Sequence, residues 1–237
     1  MLTLGIDSSC ASAGAALIDD EKTISRVTIA DKRTHSVKLL PEIQTLIAEN
    51  GLKPEELKLI AVNTGPGSFT GLRIGAATAK TMAFALEIPV AGVNTLDCIA
   101  AGVTAVADDA AKSTSDRCTL ALIDARNLRT YACLYRGCEP VMPYMIDSID
   151  AVMVKIDEYF GTKAVGSRVT VAGDAVLNEK ICEMLSSSET VQYVIDREKA
   201  YPDPVLTAQL GLRQYIDAAD KAAFRPEKLS LNYMKEW

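Results

Sequence analysis

Two acids of this 237-residue chain end similar runs, Gly5-Ile6-Asp7-Ser8 and Leu122-Ile123-Asp124-Ala125. A carboxylate at the end of a strand can hold a magnesium ion beside phosphates, and it can equally be buried or close a turn, which is the plainer reading of both. A third candidate is the glycine-rich run from Asn63 to Gly75, Asn-Thr-Gly-Pro-Gly-Ser-Phe-Thr-Gly-Leu-Arg-Ile-Gly. Gly65 and Gly67 permit positive φ and Pro66 fixes a dihedral between them, so the loop is a defined tight turn. Ser68 or Thr70 can cap the helix that follows. Amides at such a helix start attract anions, and Gly71 and Arg73 lie in its first turn, so the loop could also cradle a phosphate. A turn with a cap is again the plainer reading.

Other chemistries are excluded by counting. The chain has a single histidine, His35, at a strand-to-helix junction beside Ser36, where capping or a surface hydrogen bond suits it. A Ser-His-Asp triad or a Cys-His pair would have to use it, and a pair of imidazoles on one metal cannot be built. The six cysteines (Cys10, Cys98, Cys118, Cys133, Cys138, Cys182) show no CxxC spacing. They are expected to be reduced, and most of them to pack as small buried hydrophobes.

These residues need elements to hold them. Leu2–Asp7, Ala13–Ile18 and Thr23–Ile29 alternate as three strands of an antiparallel meander. A helix is expected over Leu39–Asn50, with Ser36 as upstream cap, Pro41 in its first turn and Gly51 as its stop. Strand Lys58–Asn63, helix Thr70–Leu86, strand Val90–Val93 and helix Leu96–Ala107 follow. After a polar linker at 108–117 the order repeats. Strands are expected at Thr119–Asp124, Tyr131–Tyr135 and Val141–Ile146, then helix Ser148–Phe160, strand Val169–Ala172, helix Ala175–Leu185, strand Val191–Ile195 and helix Pro204–Ala218. Two similar α/β lobes result, 1–108 and a reduced 109–237, each a mixed sheet flanked by helices. This is the order of the duplicated ribonuclease-H-like, or actin-like, fold. In the tail, the alternation of Leu229, Leu231 and Tyr233 suggests a short strand or a docked segment.

With 49% apolar and 24% charged residues the chain is globular, and its net charge of −6 repels phosphate backbones, so unaided nucleic-acid binding is not expected. Arg117, Arg126, Arg129 and Arg136 form a local basic stretch, read as a solvated strand face ahead of an RNA or acidic-partner contact. No basic n-region precedes the first apolar residues and no uninterrupted apolar run is long enough to span a bilayer. A cytoplasmic protein without membrane contact is the expectation.

Helix 72–86 carries charge only at Arg73 and Lys80, and Gly75, Ala76, Ala79 and Ala83 make a small-residue stripe. Such a helix is central in its own core or is completed by a partner, and the sequence leaves both open.

Gly5-Ile6-Asp7-Ser8-Ser9, His35-Ser36 through Leu39-Leu40-Pro41, the Gly65–Arg73 loop and Ile123-Asp124-Ala125-Arg126 ahead of Tyr131-Ala132 together resemble the TsaB family. That family is required for making threonylcarbamoyladenosine in tRNA. The resemblance implies an actin-like protein without catalysis of its own, a scaffold for its catalytic paralogue TsaD, with the ATPase TsaE as third member. Pairing would run through helices 39–50 and 72–86, with Leu40, Ile43, Ile47, Leu72, Gly75, Ala76, Ala79 and Ala83 at the interface. A homodimer would form when the chain is alone, and tRNA would be met only through the complex. No tightly bound cofactor is implied, with ATP or ADP and magnesium as candidates at the complex interface and Asp7 and Asp124 as a residual nucleotide site. The paralogue holds a metal with an HxxxH pair, whereas the matching segment here, Val93-Asn94-Thr95-Leu96-Asp97-Cys98-Ile99, has no histidine. The family's Glu after Asp-Ala-Arg is also missing from Asn127-Leu128-Arg129-Thr130.

The alternative is an autonomous actin-like ATPase or small-molecule kinase, resting on the two-lobe order and the two acids. The scarcity of glycine in 8–14 and 125–128, where such enzymes need phosphate loops, weighs against it. A metallopeptidase is opposed by the single histidine.

Overall fold

The structure is a computed structural model that describes residues 1–30, 34–108, 118–163 and 165–234. It divides into two compact units, Met1–Cys98 with Pro202–Tyr233, and Ile99–Tyr201 with the last four residues. The expected linker lies almost wholly outside the described residues.

In the first unit, β1 (Leu2–Asp7), β2 (Ala13–Asp19) and β3 (Lys22–Ile29) form the meander, and β4 (Leu59–Gly65) and β5 (Val90–Asn94) join β1 in parallel, giving the order β3-β2-β1-β4-β5. In the second, β6 (Cys118–Asp124) and β7 (Arg129–Arg136) are antiparallel, β8 (Glu139–Pro140) and β9 (Met145–Ser148) both pair with β7, and β10 (Arg168–Ala172) and β11 (Gln192–Ile195) continue in parallel. Matched by position, the second sheet repeats the order of the first, so the duplication expected from the sequence is present in the strand topology.

Alternation along the strands sorts the first core into two faces. Leu4, Ile6, Ile60 and Val62 pack against α1 (His35–Glu49) and α2 (Phe69–Leu86). Leu59, Ala61, Ala91 and Val93 pack with Ala208 and Leu212 of α6 (Pro204–Asp217), where Cys98 of α3 (Thr95–Asp108) also lies. The sequence placed α6 in the second lobe, but it covers the first sheet. Close approach explains why: a Cβ on Gly5 would strike the Pro204 carbonyl, and one on Gly211 would strike the Ala61 and Ala91 methyls. In the second unit, α4 (Ile149–Phe160) and α5 (Glu179–Ser186) cover Leu120, Leu122, Leu134, Val169 and Val171.

Four local expectations are corrected. Helix α1 begins at His35, so Pro41 sits in its second turn with an exposed side chain, and the cap position is Thr34, not Ser36. His35 is only 1% exposed, which removes the surface role. The helix expected over Ala175–Leu185 breaks at Asn178, whose Oδ1 accepts from the Lys180 amide and caps α5 after a 3-10 turn at Asp174–Leu177. The strand expected over Val141–Ile146 is instead the short β8 and β9. Gly51 does stop α1: with φ +68° it lets Gly51 N donate to Ala48 O and Leu52 N to Ile47 O.

Candidate functional site

Strand β4 delivers the chain into the Gly65–Ser68 loop and α2, and the glycines there serve close contact. A Cβ on Gly67 would meet the Ser9 carbonyl, on Gly71 the Ser8 carbonyl, and on Gly75 the Ser8 hydroxyl. The turn after β1 is therefore seated on the start of α2. Ser68 N donates to Ser9 O at 2.6 Å, Ser8 Oγ donates to Gly71 O at 2.7 Å, and Ser68 Oγ accepts from Gly71 N at 3.3 Å. Ser68 is thus the cap, while Thr70 is exposed. Two amides that an anion would need are already committed, Ser68 N to the turn after β1 and Gly71 N to the Ser68 hydroxyl, which favours the turn with a cap. The Gly65–Pro66 peptide is cis.

Asp7 is 2% exposed, and its Oδ1 accepts from Ser9 Oγ at 2.7 Å, Asn63 Nδ2 at 2.8 Å and Ser9 N at 3.1 Å. Burial pushes its carboxyl above the usual carboxylate range, against those hydrogen bonds. It acts as the knot tying β1 to β4, and solvent does not reach it. Asp124, half-buried, accepts from Arg126 N at 2.7 Å and closes the turn between β6 and β7. In that turn Arg126, Asn127 and Leu128 all have positive φ, 74°, 53° and 58°. Arg129 and Arg136 are exposed at the ends of β7, and Arg136 donates to Tyr159 Oη.

Of the eight residues expected at a partner interface, only Leu40 is exposed. Ile43, Ile47, Leu72, Ala76, Ala79 and Ala83 are buried, and Gly75 is closed over by Ser8. The small-residue stripe is therefore central in this chain's own core, because it seats α2 on β1 and β4. Beside Leu40, the open faces of α1 and α2 carry Val37 on α1, and Phe69, Arg73 and Phe84, the last 77% exposed, on α2. Helical periodicity marks the residues that share a face, such as the buried stripe, and gives no sign of Phe69 or Phe84, which lie off it.

The tail is docked on the first unit. Asn232 N donates to Thr64 O at 2.8 Å, Lys80 Nζ donates to Leu229 O at 3.0 Å, and Leu229 packs on the α1/α2 side of the sheet. At its end the Arg73 guanidinium lies 3.7 Å above the Phe69 ring, and Arg73 Nε donates to Tyr233 Oη at 3.1 Å.

At the β5–α3 junction, Asn94 Oδ1 accepts from Leu96 N at 2.8 Å and caps the helix, and Leu96 and Cys98 are fully buried. Burial pushes the Cys98 thiol up to about 12, and its sulfur lies 3.4 Å from Thr207 Oγ1. The junction thus holds a helix cap and core side chains.

A family model described as TsaD, tRNA N6-adenosine threonylcarbamoyltransferase, matches residues 22–229. The Bacillus subtilis (strain 168) protein named tRNA threonylcarbamoyladenosine biosynthesis protein TsaB is 39% identical over 101 residues, 43% of this chain and 44% of that one. The chain belongs to this family, on its TsaB/YeaZ branch. The Thermus thermophilus tRNA N6-adenosine threonylcarbamoyltransferase is 35% identical over 112 residues, 41% of this chain and 35% of that one. A Pseudomonas aeruginosa crystal structure, of an uncharacterized protein with similarity to peptidase YeaZ, superposes with a TM-score of 0.75 at 21% identity over 99% of both chains and shows the same actin-like fold. The chain matches only about half the length of its curated TsaB relatives. Among the described residues, no helix is long and apolar enough to cross a membrane.

Proposed function

We propose that this chain is a non-catalytic subunit that pairs with a TsaD-type transferase, served by a TsaE-type ATPase, in the threonylcarbamoyl modification of tRNA adenosine beside the anticodon. One observation carries the reading: in a chain of this family, the β5–α3 junction holds Asn94, Leu96 and Cys98 as cap and core, where the resemblance implies that the transferase carries its metal-binding histidines. The exposed faces of α1 and α2 are the surface offered for pairing, and two copies of the chain would use them when the transferase is absent. The setting is cytoplasmic, and tRNA is met through the complex. ATP or ADP with magnesium would sit at the complex interface, away from the enclosed carboxylate of Asp7.

Depleting the protein and quantifying nucleosides of total tRNA by mass spectrometry tests this. Threonylcarbamoyladenosine is expected to fall several-fold and return on re-expression, while an unrelated modification stays constant. An unchanged level under verified depletion sinks the proposal. The pairing surface is tested separately with Leu40→Asp and Phe84→Asp, which place a charge on exposed positions. Each is expected to weaken the hetero-complex about tenfold or more while leaving the thermal midpoint within a few degrees. Ala79→Arg, in contrast, should unfold the chain, since Ala79 has no exposed surface.

A further inference from the structure

Helix α2 carries two cations, Arg73 and Lys80, and no acid, in a chain of net charge −6. Lys80 is committed to the Leu229 carbonyl. Among the described residues no carboxylate pairs with Arg73, although the side chain is exposed. It is nonetheless held: its plane rests on Phe69, its Nε is bound by Tyr233, and Phe69 and Tyr233 approach each other with ring centroids 5.2 Å apart. Tyr233 in turn is fixed by its neighbour Asn232, whose amide donates to Thr64 O. A free arginine loses rotamer entropy when fixed, and much of that is already lost here. Among the described residues the two terminal amino groups of the fork have no partner, on an exposed face of α2 that also carries Thr70, Ala77, Thr81 and Phe84.

Resting on the pairing proposed above, we infer that Arg73 is the charged anchor of that interface and receives a carboxylate of the transferase, with Phe69 and Tyr233 as the residues that position it. A protein carboxylate is favoured over an RNA phosphate. With Lys80 committed to Leu229, the exposed face of α2 offers one cation, set among Thr70, Ala77, Thr81 and Phe84, and the chain's net charge opposes a polyanion. An arginine pre-ordered by aromatic stacking has the character of an interface hot spot.

The test is calorimetric titration of the full-length chain with the transferase at low and high salt, with tRNA binding to the assembled complex measured in parallel. Wild-type affinity is expected to fall with salt. Arg73→Glu should weaken the complex on the order of 30-fold, and Arg73→Lys about five- to tenfold because a point charge cannot reproduce the stacked fork. Tyr233→Phe should stay within about threefold of wild type and Tyr233→Ala should exceed it, since only the latter removes the ring. Matching thermal midpoints establish that the variants are folded. A salt-independent wild-type complex that tolerates Arg73→Glu within about twofold overturns the anchor and leaves the pairing intact. Loss of tRNA binding in Arg73→Glu with the complex unweakened overturns it in favour of RNA. Absence of any wild-type complex overturns the pairing and the anchor together.

Discussion

At the residue scale, Asp7 shows how position decides what a carboxylate does. It ends β1, where a phosphate-binding fold would expose an acid, yet the Ser8–Ser9 turn and the Gly65–Gly71 segment close over it and three donors converge on one oxygen. Burial raises its folded pKa above the unfolded value, so the folded chain holds the proton more tightly. The stability this confers is complete below the ordinary carboxylate value and is lost as pH rises through the raised folded value. Asp7→Asn lacks this dependence. Urea midpoints of wild type and variant should therefore diverge as pH rises above the ordinary carboxylate value, in the variant's favour. Parallel curves would show that Asp7 has no raised pKa in the fold.

At the element scale, the β6–β7 turn is built against the preferences of its residues. Three successive non-glycine residues hold left-handed backbone, which costs an L-residue roughly 1–2 kcal/mol, less for Asn127. Ladder geometry maintains it: Ala125 N donates to Arg129 O, Arg129 N to Arg126 O, and Ile149 N to Leu128 O, while Leu128 packs on the second core. Arg126→Gly keeps the turn and removes the steric conflict, so it should raise stability by about 0.5–1 kcal/mol in denaturant titration. Arg126→Val should lower it by a similar amount or more, since a branched Cβ fits left-handed backbone worse. Helix α2 gives the complementary lesson. Its small residues look made for a partner helix, but Gly71 and Gly75 admit the Ser8 turn, and Ala79 and Ala83 lie in the sheet core. The larger side chains of the helix, Phe69, Arg73 and Phe84, are the ones left outside.

At the scale of the molecule, the first unit is closed by a segment from the far end of the chain. Helix α6 covers Leu59, Ala61, Ala91 and Val93, and the tail through Tyr233 lies along the start of α2. A domain is stable by only about 5–15 kcal/mol, and removing a helix from one whole face of a sheet exposes enough apolar surface to exceed that. A chain ending at Tyr201 should therefore be aggregated or unfolded in its first unit, losing cooperative melting and eluting as aggregate on gel filtration. A chain ending at Tyr233 should melt within a few degrees of the full chain. A monodisperse, cooperatively melting chain ending at Tyr201 would show that α6 is dispensable.

The duplicated order of strands and helices was legible in the sequence because hydrophobic period and turn residues are local signals, and both halves carry them in the same succession. The Gly65–Arg73 loop was legible too, since a Gly-Pro-Gly turn followed by a serine cap constrains its own backbone. Burial of Asp7 and of the α2 stripe was not, because apolar or small residues at helical spacing look the same whether a sheet or a second protein covers them. Nor was the placement of α6, which depends on two glycines about 200 residues apart, Gly5 admitting the Pro204 carbonyl and Gly211 the Ala61 and Ala91 methyls, neighbours that only the folded chain brings near. By itself the sequence determined the elements, their repeat and the absence of a histidine pair. Only the tertiary structure decided which faces are covered and which side chains remain outside, because contact across the chain, unlike periodicity along it, is fixed by what packs against what.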